Sequence, residues 1–367
     1  VQTCALPILE VLLYSREVSE PPKHIVQNGK CTFGTFSGYT EMLDIRNVRA
    51  PFGVPFPHFL TNFRIKSSLM YMFKIGPYIG LVEFFDQKIF GYAEVLFWNR
   101  ENGRKYAYRS FMGPRRRFIP HNMIAGYCSS FRKKRYIRIS WDHQRDRLSM
   151  IFNLKGDSSR PSAQAAFIAR YSESPVCELA TVVPAPSKRR CSATYLASPK
   201  IHGTISLEKT KLSEECTQAD LDGTALLRIN RAYYNLHSIS EFIVASGQID
   251  GKKFSFQMFT TQENAVDSDN INGNILCVNG ICTPLPPVTI THPFGLSKKW
   301  VIQDFENMVD LTFTPVSDNR RDISFFVMKS QLRTVFGTFE GVIKTKDGED
   351  IVLHNFEGIA KNQLLRL

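Results

Sequence analysis

Apolar and polar residues alternate with a period of two along most of this chain, and the apolar positions are rich in β-branched and aromatic side chains. That pattern predicts half-buried strands rather than helices. In the first part of the chain, strands are predicted over 78–85, 90–98, 105–111, 136–142, 148–154, 166–171 and 201–207. Further on they are predicted over 225–232, 241–249, 253–259, 274–278, 281–283, 300–304, 309–314, 323–330, 337–344 and 351–356. Asn102-Gly103, Asp250-Gly251, Asn279-Gly280 and Asp347-Gly348 fall between strands. Such pairs accept the positive φ that tight hairpins require. No long segment has a 3.6-residue apolar period, and the helical piece expected is a short one over 40–47.

The prediction is therefore an all-β chain of antiparallel strands. So many short strands exceed one small barrel, so two packed sheets or barrels are expected, closing on themselves to remove free edges. A boundary is expected where Pro and charge cluster at P-A-P-S-K-R-R, residues 184–190. The units are then 28–190 and 191–367, with 9–27 as a leader. Residues 1–8, V-Q-T-C-A-L-P-I, back-translate to GTTCAGACGTGTGCTCTTCCGATC, a widely used sequencing adapter. They are expected to be a read-assembly scar, which would make Cys4 non-native.

Composition narrows the class. Hydrophobic residues make up 43% of the chain, which argues against bulk disorder. The apolar run 68–85 is broken by Lys74, Gly76, Pro77 and Glu83, which argues against a membrane span. Cysteines 31, 128, 177, 191, 216, 277 and 282 are scattered and odd in number, and no Asn-x-Ser/Thr acceptor occurs. Both observations point to a reducing, cytoplasmic compartment.

Charge changes the picture more. The net charge is +12, and residues 100–147 alone carry fourteen Lys/Arg against three acids. Arg115, Arg116 and Arg117 form one run, and Arg132, Lys133, Lys134 and Arg135 another, with Phe111, Phe118, Phe131 and Tyr136 beside them. These are the candidate anion-binding residues. An anionic membrane surface ranks above nucleic acid as their partner, because no RNA-recognition signature accompanies them. A solvated rim is the plainer reading.

Candidate chemistry is sparse. The histidines are isolated, and neither a Gly-x-Ser-x-Gly elbow nor a phosphate-cradling Gly-x-x-x-x-Gly-Lys occurs. No metal and no cofactor are expected. In C-V-N-G-I-C a two-residue hairpin would set Cys277 opposite Cys282, at a separation a disulfide tolerates. Two reduced thiols on one face are the alternative. Hydration, cyclisation or isomerisation of an olefin needs a carboxyl whose pKa is raised in an apolar pocket. The acids weighed for that role are Asp220, Asp222, Glu241, Asp304 and Asp310, with Asp222 and Asp310 named as proton donors. Asp310 shares its strand face with Thr312 and Thr314, opposite Val309, Leu311 and Phe313. That face either lines a lumen or meets solvent.

Three blocks resemble the family called domain of unknown function 2804. The C-terminal block is V-D-L-T-F-T-P-V, V-F-G-T-F-E-G-V-I, D-G-E-D-I-V-L and E-G-I-A. The early block is F-R-I-K, Y-I-G-L-V-E-F-F-D and N-R-E-N-G-R-K-Y-A-Y, and the middle block is N-G-N-I-L-C-V-N-G, P-P-V-T-I and W-V-I-Q-D. The resemblance runs from about Asn28 to the end. It implies lipocalin-like (calycin-type) barrels, related in fold to carotenoid hydratases and tocopherol cyclases, and a pocket for an apolar or amphipathic ligand. The positions implied as ligand contacts are Asp220, Tyr233, Tyr234, Asn272, Asn274 and Trp300. The chain departs from the family pattern in three places. Asp220 and Asp222 are followed by neither Lys-Gly-x-Tyr-Pro-Tyr nor a tryptophan. Asn-Glu-Asn becomes Asn272-Gly273-Asn274, and Gly-Met-Gly-Glu becomes Gly358-Ile359-Ala360-Lys361. With two acids replaced, the reading favours a binder of a hydrophobic small molecule, such as a lipid or isoprenoid. A lyase, hydratase or cyclase is the alternative, and whether the chain is an enzyme stays open.

Overall fold

A computed structural model describes residues 14–113, 118–173, 176–208, 216–261, 266–325 and 328–366. Four short strands come first: β1 (Val18–Ser19), β2 (Val26–Gln27), β3 (Lys30–Cys31) and β4 (Gly34–Ser37). One helical turn and a half, α1 (His58–Phe63), leads into a meander of β5 (Ile65–Ile75), β6 (Tyr78–Asp86), β7 (Gly91–Asn99) and β8 (Lys105–Met112). Next come β9 (Ala125–Arg132), β10 (Arg135–Asp142), β11 (Arg147–Leu154), β12 (Ala163–Ala169), β13 (Cys177–Val183), β14 (Ser192–Ser198), β15 (Lys200–Leu207) and the long β16 (Cys216–Tyr233). The remainder is β17 (His237–Ile249), β18 (Lys252–Thr261), β19 (Ile275–Val278), β20 (Ile281–Pro284), β21 (Thr289–Thr291), β22 (Trp300–Gln303), β23 (Val309–Phe325), β24 (Met328–Lys344) and β25 (Asp350–Arg366).

Two large sheets result. In the first, β16 is the junction: β14 and β15 lie end to end along one edge, and β5 pairs along the other. From β5 the sheet continues through β6 and β7 to β8, and from β15 through β12, β11 and β10 to β9. The far ends meet through side chains. Arg132 donates to the Phe111 carbonyl at 2.6 Å, and Arg135 to the Arg109 carbonyl. The second sheet has the order β20-β19-β18-β17-β25-β24-β23-β22-β21. Among the described residues no ladder joins β8 to β9 or β20 to β21. All pairings in the two sheets are antiparallel except the short β1–β4 contact.

Burial divides the interior into three cores. One lies within the first sheet, around Phe73, Phe97, Trp141, Phe152 and Phe167. A second lies within the second sheet, around Phe256, Trp300, Phe313 and Phe339. A third joins the sheets: Met70, Met72, Leu81, Leu96, Trp98 and Leu226 pack against Val244, Ile275, Phe336 and Ile359. Strands β5, β6 and β7 are thus covered on both faces, β5 with Leu69, Tyr71 and Phe73 inward and Met70 and Met72 toward the second sheet. Such strands read as continuous apolar runs rather than alternations. That is why 68–85 resembled a broken membrane span, and why β5, β13 and β14 carry no period-two signal.

The strand predictions hold in outline, with three corrections. Residues 40–47 form no helix; they run as irregular chain with a bridge from Met42 to Asn122, and Leu43 and Ile45 enter the first core. The segment 323–330 is not one strand but the end of β23 and the start of β24, with 326–327 outside the described residues. Strands β14, β15 and β16 belong to the first sheet, so the change of sheet falls between Tyr233 and His237 rather than at residue 190.

Candidate functional site

The faces that the two sheets turn toward each other change from apolar to polar along the strands. In β16 the row Leu226, Arg228, Asn230 and Ala232 starts in the inter-sheet core and then lines a cleft. Rows from the other walls do the same: Met72, Met70 and Ser68 on β5; Val244, Phe242, Ser240 and Ser238 on β17; Ile359, Lys361 and Gln363 on β25. Because side chains two residues apart share a face, each strand contributes both core and cleft wall. The cleft has a volume of about 190 Å³, below the ~300–1,000 Å³ of drug-sized sites.

The cleft floor is strongly charged. Register places Arg228, Met70, Glu83, Glu94 and Arg109 in one row across β16, β5, β6, β7 and β8. Glu83 and Glu94 are direct cross-strand partners, an arrangement that repels unless cations intervene. They do intervene. Lys361 pairs with Glu83. Arg321 Nη1 lies 2.9 Å from Glu94 Oε2, and Arg109 Nε 2.7 Å from Glu94 Oε1. Burial alone would raise the pKa of Glu83, but Lys361 and Arg321 hold it below the usual carboxylate range. Burial pushes the Lys361 ammonium down. Arg321 also lies over the Tyr92 ring, 4.4 Å from its centroid.

Arg228 differs from the other cations. Its guanidinium sits 5.4 Å from the Phe242 ring centroid. Among the described residues it has no hydrogen-bonding or ion-pair partner, and its Nε is buried without one. Burial lowers its pKa, offset in part by Tyr234 and Glu83. Its remaining accessible surface faces the cleft. An enclosed charge with no counter-ion in direct contact among the described residues costs several kcal/mol, which the more distant Glu83 only reduces.

Glu241 also borders the cleft, although alternation turns its side chain to the face of β17 opposite Phe242 and Ser240, the face of Ile243 and Ala245. Glu241 on β17 accepts a hydrogen bond from Asn362 Nδ2 at 2.8 Å, and His292 Nε2 lies 3.1 Å from the same oxygen. Burial raises Glu241 more than the Asn362 hydrogen bond lowers it. Burial also lowers His292. Both groups are displaced toward their neutral forms. Trp300 packs edge-on to His292 with centroids 4.4 Å apart, and donates its indole N–H to the Leu296 carbonyl at 3.1 Å.

The structure sorts the sequence candidates sharply. Asn272 and Asn274 border the cleft, but their side chains organise the backbone. Asn274 Oδ1 accepts from Phe259 N at 3.0 Å, its Nδ2 donates to the Pro286 carbonyl, and Asn272 Oδ1 accepts from Asn274 N. Tyr233 and Tyr234 also border it, with the Tyr233 hydroxyl donating to the Ile45 carbonyl at 3.3 Å. Trp300 is a residue of the second core and does not line the cleft. Asp220 and Asp222 are not in the cleft: their side chains are 91% and 92% exposed, beside His202. Asp310 is also on the outside, exposed and accepting from Gln303 Nε2 at 3.0 Å. Its Thr face therefore meets solvent, and neither named proton donor is placed for that role. Asp304 closes a turn by accepting from Val309 N at 2.9 Å.

Of the basic runs, Arg115, Arg116 and Arg117 lie outside the described residues. Arg132 and Arg135 are engaged with carbonyls of β8, while Lys133 and Lys134 are exposed at the β9–β10 turn. Glu83, Arg228 and Lys361 were missed as site residues. Glu83 and Arg228 are charges inside mainly apolar stretches of their strands, and Lys361 stands where the family pattern has an acid. Gly273 replaces the expected acid for a visible reason: a Cβ there would meet the Phe259 ring at 2.5 Å.

Fold and site together define an all-β protein of two packed antiparallel sheets with a charged cleft between them. The chain belongs to the family "Domain of unknown function (DUF2804)", whose model matches residues 15–367. No curated protein matches the chain. Among solved structures it is similar to that of CghA, with 10% identity, a TM-score of 0.47, and coverage of 83% of this chain and 88% of that one. It is also similar to kievitone hydratase from Nectria haematococca, with 9% identity, a TM-score of 0.42, and coverage of 82% and 88%. At these values the likenesses carry no argument about function.

Proposed function

We propose that the inter-sheet cleft binds a small amphipathic molecule bearing an acidic group, with that group seated against Arg228. The observation that carries this reading is the enclosed guanidinium facing the cleft, with the Phe242 ring beside it and no hydrogen-bond or ion-pair partner among the described residues. A carboxylate would supply the bidentate acceptor that a planar guanidinium favours, and a phenolate or enolate a single charged oxygen. Met70, Phe242, Phe259, Val288 and Leu332 give the rest of the molecule apolar wall. The modest volume selects a compact ligand. A panel of aromatic and isoprenoid carboxylates, with their methyl esters as controls, tests the reading by thermal shift. Acids should raise the melting temperature of the wild type and not of Arg228→Met; equal shifts from acid and ester would refute it.

A second reading, proton transfer to or from such a ligand, is favoured by Glu241. It combines a raised pKa with a neutral-leaning imidazole 3.1 Å away. Those are the properties expected of a general acid or base. In this reading the lyase or hydratase role passes from Asp222 and Asp310 to Glu241. Turnover of a bound acid should disappear in Glu241→Gln while binding persists. Unchanged turnover would remove Glu241 from the chemistry.

A further inference from the structure

A second cluster of reactive groups lies where the sheets meet. Cys177 is on β13 of the first sheet, and Cys277 and Cys282 are on the β19–β20 hairpin of the second. Cys277 and Cys282 are direct cross-strand partners, with sulfurs 3.7 Å apart. Sheet packing brings Cys177 to both: its Cα is 6.1 Å from that of Cys277 and 6.3 Å from that of Cys282. All three sulfurs lie within 4.8 Å of one another. Cys177 and Cys277 are buried in the inter-sheet core, and half-buried Cys282 borders a groove also lined by Arg16 and Lys346.

Either Cα separation suits a disulfide, but one sulfur can join only one partner. A covalent bridge would always leave the third sulfur packed against it. A single thiophilic ion satisfies all three. Zn–S bonds of about 2.3 Å in a tetrahedral site put thiolates about 3.8 Å apart, close to the Cys277–Cys282 spacing; Cys177 Sγ, which lies in bonding contact with both of the other sulfurs, would withdraw from each to take its place. We propose that Cys177, Cys277 and Cys282 form a three-thiolate site for one soft d10 cation, Zn²⁺ or Cu⁺, which ties the two sheets together. Soft thiolates select such ions over Mg²⁺ or Ca²⁺. The fourth position opens toward the groove beside Cys282. Three thiolates outweigh the charge of either ion, and Arg16 and Lys346 on the groove wall offset the excess.

The test uses the full chain, purified under argon with a non-thiol reductant and titrated with Zn²⁺, then with Co²⁺ as a spectroscopic probe. The expected result is one tightly bound Zn²⁺ and a thiolate-to-cobalt charge-transfer band. Both should be lost in Cys177→Ser and Cys282→Ser and retained in Cys128→Ser, a buried cysteine of the first core. Circular dichroism of the metal-free variants checks that they fold, and Cys282→Ser, at the half-buried position, keeps the test decisive. No metal uptake by the reduced wild type would overturn the proposal. So would equal loss in Cys128→Ser, or a Cys177 disulfide persisting under reductant.

Discussion

Arg228 and Glu241 occupy one cleft but are perturbed differently. Arg228 keeps its charge, since a guanidinium does not deprotonate in proteins, so its unmet need is an anion. Glu241 is held toward its protonated form. The sign of its pH effect follows. Between the ordinary carboxylate pKa of 4.5 and the raised value, the folded chain binds more protons than the unfolded chain. Stability from this group is full below that window and is lost as pH rises through it. Urea titrations across mildly acidic pH should show this slope in the wild type and a shallower one in Glu241→Gln. Lys253 has the opposite sign. It donates to the Ser198 carbonyl across the sheets, and burial pushes its pKa from 10.5 down to about 8. Between those values the unfolded chain binds more protons, so stability should rise with pH. Lys253→Met should flatten that rise; an unchanged slope would show that Lys253 does not titrate there.

Strands with both faces buried make the cleft and also hide it from sequence reading. Alternation located β6, β7, β10, β11 and most of the second sheet, because each has strong turn signals or a solvent face. It missed β5, β13 and β14, whose neighbours on both sides are protein, and also the edge strand β9, where Tyr127 and Phe131 face outward and Ser130 inward. Within a strand, alternation tells which residues share a face, but not where that face parts from its neighbour. Asp310 was correctly grouped with Thr312 and Thr314, yet only the sheet order shows that this face is external. Glu241 was among the acids weighed, while its partner His292 lies 51 positions away in an irregular segment. The element that should matter most for sheet docking is β7. Its Trp98 is fully buried, stacks on Phe336 at 5.6 Å and donates to Ser317 Oγ at 3.0 Å. Trp98→Ala should cost about 3–5 kcal/mol, measured by urea unfolding. A cost below about 1 kcal/mol would mean that the third core contributes little.

At the scale of the molecule, two sheets share one apolar interface and a cleft at its polar end. Arg100 and Lys74 of the first sheet's meander both reach Glu357 of β25, at 2.7 and 2.6 Å. Arg16 bridges Thr35 to the carbonyls of Asn272 and Asn274. Linked this way, the sheets should unfold in one cooperative transition, whereas weakly coupled units would give two. No helix among the described residues is long and apolar enough to cross a membrane. The cleft is built by the packing of strands from both sheets, and under the proposed function its ligand is the key to what the protein does. The most direct measurement is mass spectrometry of small molecules extracted from the purified chain, comparing wild type with Arg228→Met of equal fold. The account predicts an acidic amphipathic compound with the wild type that is absent from the variant. The same compound at the same level in both, or only neutral compounds in the wild type, would contradict it.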